Sequence, residues 1–100
     1  MIKKIAILGS TGSIGKTLLK IIKKINKNFN ITLLTAKSNY KLLLKQAKEF
    51  KVKNIIITDQ KYFEIAKNKN KNKKINIYNN FDYLNKIFSK KIDYTMSSIV

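Results

Sequence analysis

A chain of 100 residues that is 44% hydrophobic and 27% charged, with three glycines and no proline, has the composition of one small folded domain, or a piece of one, dense in regular elements. Without cysteine or histidine it has no disulfide framework, thiolate metal site, cysteine nucleophile or histidine general base. Its net charge of +17 comes from 22 bases, all lysine, against five acids, and reads either as the compositional drift of an AT-rich genome or as a polyanion surface lacking arginine's bidentate phosphate and guanine recognition.

Short β-branched runs alternate with amphipathic stretches, which predicts βαβ units and a parallel sheet. Residues 2–8 make the first strand, closed by Gly9. The apolar run at residues 5–8 is far too short for a signal-peptide core or a membrane span, so a cytoplasmic protein is expected. Leu18, Leu19, Ile21, Ile22 and Ile25 recur at helical spacing and predict a helix over about residues 14–25, with lysines on its outer face. Residues 31–35 read as the second strand, and Leu42, Leu43, Leu44, Ala47 and Phe50 as the buried stripe of a second helix. The alternation continues with a strand at 55–57, a short helix at 62–66, a strand at 75–78, a helix at 81–88 and a fifth strand at 94–100. The Asn/Lys run at 67–74 reads as a solvated loop. The expected fold class is α/β, a Rossmann-like parallel sheet with helices on both faces, forming an incomplete domain of about five strands over residues 1–100.

All three glycines fall in Gly9-Ser10-Thr11-Gly12-Ser13-Ile14-Gly15, between the first strand and the first helix. A helix N-terminus offers unpaired N–H groups and a partial positive charge, and glycine lets the backbone approach a pyrophosphate with no Cβ in between. Thr11 and Ser13 add hydroxyl donors. A tight strand-to-helix turn without a ligand is the plainer reading. A second rival is a P-loop, since residues 10–17 would read GxxxxGK[ST] if residue 10 were glycine, and residues 55–59 could supply a hydrophobic strand and a magnesium-holding acid. Ser10 argues against it, and the additional Gly12 suits a dinucleotide turn.

The end of the second strand bears on which cofactor. A site for NAD usually carries an Asp or Glu there for the ribose 2′-hydroxyl, and that carboxylate would repel the 2′-phosphate of NADP. This chain has Thr35-Ala36-Lys37-Ser38-Asn39. Lysine can neutralise a phosphate, and serine and asparagine can donate hydrogen bonds to it, so NADPH is the expected ligand. The alternative is a polar loop whose Ser38 or Asn39 caps the second helix, and both roles can coexist.

The segment Ile7-Leu8-Gly9-Ser10-Thr11-Gly12-Ser13-Ile14-Gly15 resembles the N-terminal signature of the 1-deoxy-D-xylulose 5-phosphate reductoisomerases. Asn39-x-x-x-Leu43, Phe50 before the third strand, and Asp93 followed by Ser98-Ile99-Val100 are further likenesses, the last to D-x-x-x-x-A-I-V, normally followed by glycine. The resemblance implies that Thr11, Gly12, Ser13 and Ile14 line the pyrophosphate and that Lys37, Ser38 and Asn39 surround the adenosine ribose phosphate. It departs at Ala36-Lys37-Ser38-Asn39, where the family reads Ala-Gly-Lys-Asn or close to it.

The family isomerises its sugar phosphate and reduces it with NADPH to 2-C-methyl-D-erythritol 4-phosphate, on the non-mevalonate route to isoprenoids. By resemblance it also implies a homodimer and a divalent metal, Mg or Mn, held by carboxylates C-terminal to this sequence. Glu49, Asp59, Glu64, Asp82 and Asp93 match none of those ligands and read as surface or cap residues. No catalytic residue is named, and the chain alone is expected to be inactive, a truncated or degenerate N-terminal part of such an enzyme. The alternatives are a small P-loop nucleotide-binding protein and a basic nucleic-acid-binding module without catalysis.

Overall fold

Each isoleucine- or leucine-rich run that the sequence marks as a strand forms one. The computed structural model describes residues 3–25, 29–70, 74–81 and 94–97. In chain order these give β1 (Lys3–Leu8), α1 (Ser13–Ile25), β2 (Phe29–Ala36), α2 (Tyr40–Phe50), β3 (Asn54–Ile57), α3 (Gln60–Lys69), β4 (Asn76–Tyr78) and β5 (Tyr94–Ser97). The five strands form one sheet in the order β4-β3-β2-β1-β5, every neighbouring pair parallel. β5 therefore lies on the opposite side of β1 from β2, so the strand order reverses at β1, a topological switch point.

Strand side chains alternate between two apolar layers. On one face Ile5, Ile7, Ile31, Leu34, Ile55 and Ile57 pack with Leu19 and Ile22 of α1, Leu43 and Ala47 of α2, and Ala66 of α3. All three described helices thus lie against a single face, as successive right-handed crossovers in one direction require. On the other face Ala6, Leu33 and Ile56 are buried, with Leu8 and Tyr78 against them. The helix expected at 81–88 lies, from residue 82 onward, outside the described residues, as do residues 98–100 of the fifth strand.

Ile31 and Leu34 share a face although they are three residues apart. The register of β1 on β2 explains this, because Ile5 pairs with Ile31 and Ala6 with Leu33, leaving Thr32 as an extra residue in a bulge. Thr32 Oγ1 donates to the Ile5 carbonyl at 3.2 Å, which satisfies an acceptor at the break in the ladder.

The helices begin and end at identifiable chemistry. Asn39 caps α2, its Oδ1 accepting from Leu42 N at 3.4 Å. Asp59 caps α3, its Oδ1 accepting from Lys61 N at 3.0 Å and Tyr62 N at 3.3 Å. α2 closes on Lys51, a non-glycine residue in the left-handed region at φ 57°, and the N–H groups of Lys51 and Val52 both donate to the Ala47 carbonyl, turning Val52 into the core.

Three expectations need correction. α3 runs on to Lys69, into the Asn/Lys stretch that reads as a loop. Its start is fixed by Asp59 and its last turn is anchored by buried Ala66, whose carbonyl accepts from Asn70 N at 2.8 Å. Ile21 belongs to the expected stripe of α1 but is 49% exposed, because the buried line runs through Gly15, Leu19 and Ile22 and Ile21 sits about 100° around the helix from it. On α2, Leu42, Leu44 and Phe50 are only partly buried, while Tyr40 and Gln46 are buried beside Leu43 and Ala47.

Candidate functional site

The turn after β1 divides the work of its glycines. Gly9 has φ 76°, in the left-handed region that a side chain disfavours. A Cβ at Gly15 would stand 2.5 Å from the Gly9 carbonyl oxygen and 2.6 Å from Ser10 Cα, so only glycine lets α1 lie this close to the turn. Neither reason holds at Gly12, where a Cβ would meet Gly9 O at 3.6 Å, an ordinary contact. The bare backbone at Gly12 therefore serves nothing inside the described fold, and it faces outward.

Gly12 N donates to Gly9 O at 3.2 Å, and the Gly12 carbonyl accepts from Lys16 N at 2.9 Å, the first helical bond of α1. Gly12 thus occupies the cap position with no side chain to satisfy the amides of the first turn. That turn contains no acid. Gly12, Ser13 and Ile14 are exposed, Ile14 at 56%, and Thr11 is half-buried. An exposed isoleucine beside exposed amides makes an edge that is apolar and anion-attracting at once.

The second group of expected residues lies beside the first. Gly9 N donates to Thr35 Oγ1 at 2.9 Å and Ser10 N to the Thr35 carbonyl at 2.9 Å, which fastens the root of the turn to the end of β2. Lys37, Ser38 and Asn39 follow directly, so the structure brings all seven candidate residues to the C-terminal edge of the adjacent strands β1 and β2. Lys37 and Asn39 are exposed and Ser38 half-buried. Their backbone is held from both sides, with the Lys37 carbonyl accepting from Asp59 N at 2.9 Å and the Ser38 carbonyl from Tyr40 N at 2.7 Å. Of the two expected caps for α2, Asn39 takes the role and leaves the Ser38 hydroxyl out of it.

Ser10 stands where a P-loop needs its first glycine, and it is fully buried with Oγ donating to Gln46 Oε1 at 2.8 Å. Asp59, the acid that reading would assign to magnesium, is spent on the amides of α3. Glu49 pairs with Lys23 at 2.8 Å, and Glu64 accepts from Gln60 Nε2 at 3.1 Å. Among the described residues no group of three or more His, Cys, Asp or Glu side chains could hold a metal ion, and no helix is long and apolar enough to cross a membrane. Sequence alone does not mark two buried residues that hold this edge, Thr35 and Gln46. The available signal was a glutamine inside the apolar stripe of α2, three positions after Leu43 and next to Ala47.

A parallel sheet with a glycine-rich turn leading into a helix where its strand order reverses defines a Rossmann-type nucleotide-binding domain. A model of the 1-deoxy-D-xylulose 5-phosphate reductoisomerase family matches residues 5–100, and the chain belongs to that family. It is 60% identical over 99 residues to the 1-deoxy-D-xylulose 5-phosphate reductoisomerase of Pelagibacter ubique (strain HTCC1062), covering 97% of this chain and 26% of that protein. With the enzyme of Thermoanaerobacter sp. (strain X514) it shares 46% identity over 74 residues, 73% of this chain and 19% of the relative. Among solved structures, the Zymomonas mobilis reductoisomerase in complex with NADPH superposes with a TM-score of 0.85 at 27% identity, over 99% of this chain and 26% of that one. A reductoisomerase in complex with NADPH, fosmidomycin and magnesium gives a TM-score of 0.84 at 29% identity, over 98% of this chain and 24% of its own. The chain thus spans about a quarter of the length of most of these relatives.

Proposed function

We propose that residues 1–100 are the N-terminal, NADPH-binding part of a 1-deoxy-D-xylulose 5-phosphate reductoisomerase, in which Thr11, Gly12, Ser13 and Ile14 line the cofactor pyrophosphate and Lys37, Ser38 and Asn39 surround the 2′-phosphate of the adenosine ribose. The observation that carries this is Gly12, a glycine that neither backbone conformation nor packing requires, exposed at a side-chain-free helix N-terminus beside an acid-free end of β2.

Bound NADPH supplies a hydride. The chain's own part is to bind and orient it: the first-turn amides of α1 neutralise the pyrophosphate, Ile14 offers an apolar surface next to it, and Lys37 with Ser38 meets the 2′-phosphate. In the whole enzyme the substrate would be a sugar phosphate, isomerised and then reduced to 2-C-methyl-D-erythritol 4-phosphate. The divalent metal of that reaction finds no ligand set among the described residues. In the cell this enzyme would act in the cytoplasm.

Calorimetric titration with NADPH and NADH, at 0.1 M and at about 0.5 M salt, tests the cofactor assignment. A charge-assisted hydrogen bond to the 2′-phosphate contributes roughly 1.5–3 kcal/mol, about tenfold to a hundredfold in affinity. Scattered lysines would favour the more anionic NADPH as well, but their effect fades when the Debye length shrinks to a few ångströms, whereas a short contact is screened less. The preference for NADPH is expected to persist at high salt and to fall when Lys37 and Ser38 are both changed to alanine. A preference that vanishes with salt, or ignores the double substitution, contradicts the assignment.

A further inference from the structure

Among the described residues three polar side chains are buried, Ser10, Thr35 and Gln46, and all three make hydrogen bonds to the glycine turn or from within it. Thr35 Oγ1 accepts from Gly9 N at 2.9 Å. Gln46, 36 positions along the chain from Ser10, grips that residue at two points, with Oε1 accepting from Ser10 Oγ at 2.8 Å and Nε2 donating to the Ser10 carbonyl at 3.0 Å. Because a carbonyl only accepts, the amide of Gln46 has one workable orientation, and that orientation leaves Oε1 to the hydroxyl. Every buried side-chain nitrogen and oxygen of this cluster is paired.

We propose that Ser10, Gln46 and Thr35 form a polar brace that presets the glycine turn for the pyrophosphate, with Ser10 and Gln46 acting as positioning residues for cofactor binding. The inference rests on the nucleotide-binding reading of the turn. Gly9 and Gly12 make this segment conformationally permissive, so an unbraced turn would have to be ordered at the moment of binding, at a cost in affinity. Burying three hydroxyl or amide groups is a poor way to add stability, since replacing both partners of a buried hydrogen bond by apolar groups of similar shape is nearly neutral. What such a cluster does confer is a single geometry. Gln46 also belongs to α2, whose N-terminus follows Lys37 and Ser38, so the brace ties the pyrophosphate half of the site to the helix that carries the 2′-phosphate half.

The test compares two ligands on the 100-residue chain. NADPH needs both halves of the site, whereas adenosine 2′-monophosphate needs only the end of β2. In Gln46→Met, of similar length but without the two hydrogen bonds, NADPH is expected to bind roughly fivefold to thirtyfold more weakly. Adenosine 2′-monophosphate should change less than about twofold, within the error expected of a site left intact. Ser10→Ala, a milder change, should move both ligands in the same pattern, and the double variant should bind NADPH no more weakly than Gln46→Met alone. Circular dichroism melts identify any variant that fails to fold, and if Gln46→Met is one, Ser10→Ala decides. Folded variants that bind NADPH like the unaltered chain, or that lose both ligands equally, overturn the brace. Failure of the unaltered chain to bind NADPH would instead overturn the nucleotide-binding reading beneath it.

Discussion

Three glycines within seven residues answer three separate demands. Gly9 supplies a backbone conformation, Gly15 supplies room for α1 to lie against Gly9 and Ser10, and Gly12 supplies an open approach from outside. Substitution should separate the last two. At Gly15 an alanine meets backbone atoms that cannot swing aside, so Gly15→Ala is expected to destabilise the fold by roughly 1–3 kcal/mol, read as a lower urea midpoint. Gly12→Ala should leave that midpoint within about 0.5 kcal/mol of the unaltered chain, yet weaken NADPH binding by about 1–3 kcal/mol through lost backbone hydrogen bonds. A Gly15→Ala chain as stable as the original, or a Gly12→Ala chain with full affinity, contradicts this division. The clustering of the glycines and the lack of an acid between Thr35 and Asn39 were legible in the sequence because each residue type alone limits the local chemistry. The split in their roles was not, since it depends on which atoms of Gly9 and Ser10 lie against α1. The role of Gln46 is not legible in sequence for a similar reason: its partner lies 36 positions away, and no local pattern connects them.

Helix ends follow the same physics at larger scale. Lys51 closes α2 from the left-handed region, where a side chain costs roughly 1–2 kcal/mol and glycine costs little. Part of that gain is offset by glycine's greater freedom in the unfolded chain, so Lys51→Gly is expected to stabilise by about 0.5–1 kcal/mol. Asp59→Ala should destabilise by about 1 kcal/mol, because Lys61 N and Tyr62 N lose their acceptor. Urea unfolding measures both, and either change with the opposite sign refutes the cap that it tests. The order and kind of the described elements were readable from hydrophobic periodicity, but their details were set by single contacts. The run of Asn and Lys after Ala66 looks like a loop by composition, although a helix already started by Asp59 and anchored by Ala66 continues through three of those residues before it stops. The bulge at Thr32 is silent too, because Ile31-Thr32-Leu33-Leu34 reads equally well with or without a shift of face.

At the scale of the molecule, the three described helices on one face and a reversal of strand order at β1 put the N-terminus of α1 and the loop after β2 on one edge. A net charge of +17 gives the chain a diffuse positive field, which draws anions without selecting among them. Affinity alone therefore says little about where a nucleotide binds, and location is the decisive quantity. We infer that NADPH occupies the C-terminal edge of β1 and β2. That placement is tested most directly by titrating NADPH into isotopically labelled chain at about 0.5 M salt, where long-range attraction to scattered lysines is largely screened, and following the backbone amide resonances. The shifts are expected to concentrate on Thr11, Gly12, Ser13, Ile14, Lys37, Ser38 and Asn39. Shifts spread over the lysines on the outer faces of α1 and α2, with Gly12 and Ser13 unmoved, would contradict that placement.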